Sequence, residues 1–504
     1  MVDLRKETNP DILRQAALLL DKENQRLHER LKTLAEEIDR LRGNNGSVSQ
    51  LELELKHLQE RLGARERMIF GRSSEKRPVH GDTPSEKKER PGHGPRPQKE
   101  LPVQEVLHEL PEEGRACDVC GGRLDEMPGQ FEESEELTVV RRLYVMRLHK
   151  RQKYRCSCME KIVTAPGPLK LIPGGRYSID FAAQIAVDKY LDHMPLERQV
   201  RAMRREGLEI DSQTLWDQIQ ALSRHLRPTY EAIGRKILSE PVIFADETRW
   251  PLLKKGGSGR GWVWSVSCAT GSYYKILESR SADAAREVLG GYVGTVMADG
   301  YGAYESLSRG SPSFRLAHCW AHVRRKFREA EPHYPEECGE ILDMIGELYA
   351  VEGEVPKPSP GVPGEEVRTA LDLRRRLRGE RSREIVARIR EWTYETKPAA
   401  LPQSALGKAL AYMMGMWAGL TVFLDDPLVP LDNNAAERSL RGVVVGRKNH
   451  YGSRSKRGSE VAALFYTLLE SAKLCGRDPR AYLQNAARRA IETPGAVTPP
   501  DSPD

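Results

Sequence analysis

Three carboxylates of this chain stand where metal-dependent chemistry would need them. Asp246 follows the short apolar run 242–245, Asp299 follows the run 295–298, and Glu437 lies in an Asn-rich stretch that predicts a helix start. Short apolar runs predict buried strands, and a carboxylate at the end of such a strand is costly unless something binds it. Three oxygen ligands suit Mg²⁺ or Mn²⁺ better than zinc, and two such ions can hold the attacking and the leaving oxygen of a phosphodiester. The trio therefore predicts phosphodiester chemistry with two ions per site.

Each carboxylate also has a simpler interpretation. Asp299 precedes a glycine and could form a turn, Glu437 could make a surface salt pair with Arg441, and Asp246 could cap a bend. The order of all three along a predicted sheet favours a shared site. Glu247 is expected to point to the opposite face of its strand and not to bind the metal.

A basic stretch follows Glu437. Residues 438–459 contain no acidic side chain, and their basic residues are Arg438, Arg441, Arg447, Lys448, Arg454, Lys456 and Arg457. Glycines in the same stretch would let the backbone approach a ligand closely. Beside a metal site, this pattern predicts contacts with DNA phosphates, and a solvated basic loop is the alternative.

Two pairs of closely spaced cysteines have the spacing of zinc ligands. The first pair is Cys117 and Cys120, and the second is Cys156 and Cys158. Together they can close a tetrahedral zinc site, and the residues between them alternate as in a zinc ribbon. The alternative is four reduced thiols. With eight cysteines and no apolar signal core at the start, the sequence favours a cytoplasmic protein.

A second candidate ligand group lies near residue 320. His318 and His322 are one helical turn apart and could bind a metal together with Cys319. Packing in the core or next to DNA is the favoured interpretation, and the sequence does not settle their role.

Leucines recur every seven residues near the N-terminus, at positions 13, 20, 27, 34 and 41. This heptad pattern over residues 11–41 predicts a coiled coil and hence self-association, with Asn24 at a core position that favours a dimer. The alternative is an amphipathic helix packed on its own chain.

A basic segment, rich in Pro, Gly and Ser over residues 71–100, predicts a disordered linker.

The chain of 504 residues, with 39% hydrophobic residues and a net charge of +6, suits about three globular domains. From residue 241 onward, three strands, a helix, a strand, a helix and a further strand give an α/β order that fits a ribonuclease-H-like sheet. Residues 405–424 are apolar but contain Lys408, so a buried helix is favoured over a membrane span. The expected divisions are a coiled coil (1–66), a basic linker (67–104), a zinc ribbon (105–172), a helix-turn-helix-like DNA-binding region (173–236), a catalytic domain (237–460) with a helical insertion (about 334–425), and a helical tail (461–504).

Several short motifs occur in an order that resembles one known family. They are Phe70-Gly71-Arg72-Ser73, Ala245-Asp246-Glu247-Thr248, Ala298-Asp299-Gly300-Tyr301, His318-Cys319-Trp320-Ala321-His322 and Leu431-Asp432-Asn433-Asn434-Ala435-Ala436-Glu437-Arg438. From about residue 60 to 485 the chain resembles the insertion-sequence-sixty-six family of bacterial DDE transposases. The short Cys156-x-Cys158 spacing departs from the family's more usual two-residue spacer.

The resemblance implies DNA transposition with Asp246, Asp299 and Glu437 as the catalytic carboxylates. It also implies an N-terminal zipper, a zinc-binding region, and, as partners, the terminal inverted repeats of an element and its target DNA. Whether accessory proteins of the same element are also required is left open. The alternatives from other classes are a non-catalytic zinc and coiled-coil DNA-binding regulator and a metal-dependent nuclease that cuts without rejoining.

Overall fold

The computed structural model describes residues 144–155, 162–254, 257–310, 314–356 and 364–502, together with Arg26, Glu29, Arg30, Thr33 and Leu58. All of these residues belong to one compact unit. The predicted zinc ligands, the basic linker and nearly all of the predicted coiled coil lie outside the described residues, so those three hypotheses stay predictions.

A mixed five-stranded sheet forms the centre of the unit. In chain order its strands are β3 (Val242–Lys254), β4 (Gly257–Ser267), β5 (Ser272–Leu277), β6 (Thr295–Ala298) and β7 (Arg315–His318), and they lie side by side in the order β5-β4-β3-β6-β7. The first three pair antiparallel through short connections, whereas β6 and β7 run parallel to β3. β1 (Lys153–Arg155) and β2 (Ile162–Thr164) form a separate antiparallel pair.

Helices cover the sheet. The helices before and between the strands are α1 (Ile179–Tyr190), α2 (Leu196–Arg205), α3 (Ser212–Ile237), α4 (Ala282–Leu289) and α5 (Gly302–Ser308). Ser178, Asp211 and Ser281 cap three of them by accepting a hydrogen bond from a first-turn backbone N–H. Ile243 and Ala245 of β3 join the buried cluster that these helices share with the C-terminal helices.

The described residues between β7 and residue 425 are mostly helical and form a second core. Its helices are α6 (Trp320–Ala330), α7 (Pro335–Gly353), α8 (Gly364–Leu377), α9 (Arg383–Thr396), α10 (Ala405–Gly415) and α11 (Trp417–Leu420), with a π-helical turn at Arg378–Ser382. The fully buried Arg378 donates to Glu352 Oε1 at 2.6 Å and to the carbonyl of Phe423 at 2.6 Å, which ties α7 to the end of this segment. Val242, Met297 and Ala317 connect this core to the sheet.

Three helices complete the described chain: α12 (Asn434–His450), α13 (Lys456–Leu474) and α14 (Pro479–Glu492). α12 packs on β3 and β4, while α13 packs on β5 and on α3. The sheet therefore has helices on both faces, so its central strands are buried and their alternate residues enter different cores.

Two expectations about elements need correction. The first strand was expected to end at Asp246, but β3 continues to Lys254 because its hairpin with β4 pairs every residue from Phe244 onward. The apolar stretch 405–424 was expected to be one buried helix, and it is instead α10, α11 and a short 3-10 turn in the second core. Among the described residues no helix is long and apolar enough to cross a membrane.

Candidate active site

Asp246 lies on β3, and Asp299 directly follows β6, the parallel strand that pairs with β3. The register pairs Phe244 of β3 with Met297 of β6, and each aspartate comes two residues after its member of that pair. Side chains alternate along a strand, so Asp246 shares the face of Phe244, which packs against the second core. The prediction that these two strands are neighbours is confirmed.

Burial and nearby negative charge make the ionised form of Asp246 costly. Desolvation is the largest cause, the carboxylates of Asp299 and Glu247 add to it, and together they raise the pKa of Asp246 to about 7. One oxygen accepts a hydrogen bond from the backbone N–H of Glu247 at 2.8 Å. Within the described part of the chain neither aspartate has an ion-pair partner, so a bound cation would relieve the repulsion between them.

A tight turn holds Asp299. Its Oδ1 accepts from the N–H of Tyr301 at 3.1 Å, and its carbonyl accepts from the Tyr412 hydroxyl at 2.6 Å. Gly300 has a φ of +89°, and a Cβ there would lie 2.8 Å from Met416 Sδ. Glycine is required at this position both for the left-handed backbone and for the close approach of α10.

Helix α12 brings Glu437 to the same face of β3. Its N-cap, Asn433, is fully buried and donates from Nδ2 to the Ala245 carbonyl at 3.2 Å. The Asn433 N–H in turn donates to Cys319 Sγ at 3.2 Å. These two bonds connect the start of α12 both to the strand that carries Asp246 and to the junction of β7 and α6.

Glu437 is flanked by basic groups that the sequence did not assign to the site. His322 Nε2 lies 3.4 Å from one carboxylate oxygen, and Arg325 Nη2 lies 3.9 Å from the other. The side chain of Glu437 is 26% exposed, and its Oε1 accepts no hydrogen bond from the described residues. The one-turn spacing of His322 and Arg325 on α6 was visible in the sequence, but their partner lies more than 100 residues away.

The three residues near position 320 have separate roles. His318 ends β7 and is 8% exposed, with Gly419 so close that a Cβ there would lie 2.3 Å from the imidazole. Burial lowers the pKa of His318 and raises that of Cys319 to about 11. The favoured core interpretation is therefore confirmed for His318 and Cys319, whereas His322 lies beside Glu437.

Glu247 lies on the opposite face of β3, as its place next to Asp246 predicts. Arg280 donates to its Oε1 from Nε at 2.9 Å, and the Tyr304 hydroxyl donates to its Oε2 at 2.9 Å. The Arg280 guanidinium also stacks 3.8 Å from the centre of the Tyr301 ring. The Tyr304 bond ties the buried Glu247 carboxylate to α5, the helix that follows Asp299, and the partly exposed Arg280 provides its counter-charge.

The predicted DNA-contacting residues divide into bound and exposed groups. Arg447 donates to Thr248 Oγ1 at 2.9 Å and to the Arg249 carbonyl, so its guanidinium docks α12 on β3. The remaining six basic side chains are exposed, and they are Arg438, Arg441, Lys448, Arg454, Lys456 and Arg457. The glycines serve the chain's own packing: a Cβ on Gly446 would lie 2.2 Å from the Tyr466 hydroxyl, and one on Gly452 would lie 2.0 Å from the Pro251 carbonyl.

The donor set fits a hard divalent cation in its chemistry. All three predicted ligands offer carboxylate oxygens, and two of them repel each other across neighbouring strands. In the described parts of the chain, however, no three acidic, histidine or cysteine side chains surround a single point. In this conformation Glu437 faces His322 and Arg325.

The fold and the site define a class: an α/β protein with an acidic site where two parallel strands meet the start of a helix. The chain belongs to a family described as "Transposase IS66 family", whose sequence model matches residues 174–461. The family predicted from the motifs is confirmed.

Three similar proteins come from Sinorhizobium fredii (strain NBRC 101917 / NGR234). Uncharacterized protein y4jD is 33% identical over 413 residues, which cover 78% of each chain. Uncharacterized protein y4hP is 28% identical over 75% of this chain and 71% of its own. Uncharacterized protein y4qI is 28% identical over 80% of this chain and 76% of its own.

Proposed function

We propose that this protein is a transposase that cuts and joins DNA at the ends of its own element by metal-dependent phosphodiester chemistry. The observation that carries the proposal is the pair Asp246 and Asp299 on adjacent strands, where burial and mutual repulsion raise the pKa of Asp246 to about 7. A bound cation would relieve this repulsion, and the family membership supports DNA as the substrate.

The strand order supports a ribonuclease-H-like catalytic domain. Three antiparallel strands followed by two parallel ones, with helices on both faces, give the order β5-β4-β3-β6-β7. In this proposal Asp246, Asp299 and Glu437 hold two Mg²⁺ or Mn²⁺ ions. When bound, the ions would activate the attacking oxygen and neutralise charge on the leaving oxygen.

The chain's own residues position this site. Asn433 fixes the start of α12 against β3, and His322 and Arg325 hold the Glu437 carboxylate in place. The exposed cations of α12 and of the turn after it would bind the phosphates on either side of the scissile bond. Zinc held by Cys117, Cys120, Cys156 and Cys158 and self-association through residues 11–41 are also proposed, for the binding of two element ends.

A cleavage and strand-transfer assay tests the proposal. Labelled duplexes carrying the ends of the encoding element would be incubated with the protein and Mg²⁺, and both nicked and joined products would be measured. Asp246→Asn, Asp299→Asn and Glu437→Gln should each abolish both products while leaving DNA binding nearly unchanged, because each change removes a metal ligand and little volume. Asp343→Asn, at an exposed position on α7, is the matched control and should retain activity.

The same assay separates the other classes of function. Products that are nicked but never joined would indicate a nuclease without strand transfer. Specific binding of the ends with no cleavage under any metal condition would favour the non-catalytic regulator. Normal strand transfer by one of the three amide variants would remove that residue from the site.

A further inference from the structure

A cleft of about 670 Å³ lies beyond the carboxylate site, at the far end of β3. It is lined by the end of α1, the starts of α2 and α3, and the turn between α12 and α13. Trp250 contributes to its wall and follows Asp246 by four residues on β3, which is about 13 Å at the usual rise of a strand. The volume is in the range of small-ligand pockets and is too small for a turn of duplex DNA.

Three helices direct their N-termini at this cleft. They are α2, α3 and α13, with 10, 26 and 19 residues, and residues of their first turns line its wall. The N-cap of α2 is Pro195, which makes no capping hydrogen bond through its side chain. Asp211 and Ser455 each accept one first-turn N–H of α3 and α13, and the Asp211 carboxylate offsets part of the charge at α3. The start of α2 therefore offers uncapped N–H groups to an anion, and the partial positive charge of the helix starts adds to that of the basic side chains.

The side chains add to the same charge. Five basic residues and one carboxylate line the cleft. The carboxylate, Glu197, accepts a hydrogen bond from Ser212 at 2.5 Å. Among the described residues Arg198 and Arg454 have no side-chain hydrogen bond or ion pair, and burial lowers the pKa of Lys189 to about 8. An unpaired ammonium group at a cleft wall is stabilised when an anion binds next to it.

An aromatic ring stands at the mouth of the cleft on a rigid turn. Tyr451 is 69% exposed and ends α12 with a φ of +57°, a conformation that is uncommon for a residue with a side chain. The turn is fastened to β3, because Leu253 N–H donates to the Ser453 carbonyl at 2.8 Å and Ser453 N–H donates to the Pro251 carbonyl at 3.1 Å. Trp250 Nε1 donates to Ser453 Oγ at 3.1 Å. The fold thus holds Tyr451 outward without covering it.

We propose that this cleft binds an unpaired stretch of DNA strand, with its phosphates at the basic side chains and the uncapped start of α2 and a base stacked on Tyr451. The combination of a cationic groove and an exposed ring is the one that single-stranded DNA requires, since duplex DNA offers its phosphates but hides its base faces. The proposal rests on the proposed function for its substrate. It adds that the strand is unpaired on the side of the carboxylate site where β3 carries Trp250.

Fluorescence anisotropy of the full chain tests this site without cleavage. The probes would be a labelled oligo-dT of about 12 nucleotides, which is within the usual site size, and a duplex of equal length, both in EDTA. Tyr451→Asn removes the ring and keeps a residue that tolerates positive φ. It should weaken oligo-dT binding about 5- to 100-fold and duplex binding by less than about twofold. The control is Tyr394→Asn, at a ring that is 56% exposed on α9.

A charge variant gives a second readout. Arg454→Gln should weaken both probes and lower the slope of log affinity against log salt for oligo-dT by about 0.7, the value for one phosphate contact on a single strand. Arg480→Gln, at an exposed arginine on α14, is the control and should change neither value.

The inference is overturned if the unaltered protein fails to bind oligo-dT, if Tyr451→Asn binds it as tightly as Tyr394→Asn, or if Tyr451→Asn weakens duplex and oligo-dT equally. Any of these results, together with DNA cleavage that depends on Asp246, would refute the cleft and leave the proposed function standing. If Asp246→Asn still cleaves DNA while the protein binds oligo-dT selectively, the proposed function would be refuted and the cleft would stand.

Discussion

Removing the charge of Asp246 should stabilise the metal-free protein while it abolishes cleavage. The side chain is buried beside Asp299 and Glu247, so the folded state holds its proton more tightly than the unfolded chain does. Asp246→Asn keeps the shape of the side chain and removes the charge that the fold must bury. We therefore expect the variant to be more stable than the unaltered protein above neutral pH when divalent ions are absent.

The size of the effect follows from the difference in pKa. The pKa of Asp246 rises from 3.8 to about 7 on folding. The protonated carboxyl therefore supports the folded state fully below pH 3.8, and this support is lost as the pH rises to 7. A difference of about three pKa units corresponds to about 4 kcal/mol, of which about 2 to 3 kcal/mol develops between about pH 5 and pH 8.

Urea unfolding at about pH 5 and about pH 8 in EDTA would measure this difference as the free energy of unfolding. The unaltered protein should lose about 2 to 3 kcal/mol more than Asp246→Asn across that interval. Saturating Mg²⁺ should restore stability at the higher pH in the unaltered protein, because an ion that binds the folded state stabilises it. The variant should gain much less.

The exposed Asp343 provides the control, since Asp343→Asn should follow the unaltered protein at both pH values. Equal pH dependence in Asp246→Asn and the unaltered protein would refute the reasoning, because the buried charge would then carry no free energy. Equal stabilisation of both by Mg²⁺ would refute the assignment of Asp246 as a metal ligand.

Four further outcomes are expected. Arg280→Met should cost about 1 to 3 kcal/mol in urea unfolding, since the buried Glu247 carboxylate loses the hydrogen bonds of a partly exposed guanidinium, and an unchanged midpoint would contradict this. Asn433→Ala should cost about 1 to 3 kcal/mol and slow cleavage, because a buried carbonyl of β3 loses its donor; full activity would show that α12 docks without it. Metal analysis should find one Zn²⁺ per chain, lost in Cys117→Ser, whereas zinc near zero before the change would remove the zinc site. A fragment of residues 11–41 should sediment as a dimer at high micromolar concentration, and a monomer there would count against the coiled coil.

The pattern of apolar residues along the chain predicted the two strands that position Asp246 and Asp299. Apolar runs of four residues before Asp246 and Asp299 predicted two buried strands, and the order of elements predicted that they are neighbours. Both inferences succeed because the alternation of side chains and the burial of short apolar runs are properties of a few consecutive residues. The same reasoning placed Glu247 on the opposite face. The order of the short motifs along the chain was sufficient to identify the family.

The tertiary structure alone decided which groups meet. Glu437 lies beside His322, Arg447 docks on β3, and Tyr451 closes a turn held by that strand. These contacts join residues that are more than 100 positions apart, and no periodicity in either segment encodes them. The length of β3 depended on its hairpin partner for the same reason, because backbone pairing extends a strand beyond the apolar run that predicts it. The sequence determined which residues are available for chemistry, and packing between distant segments decided where each of them points.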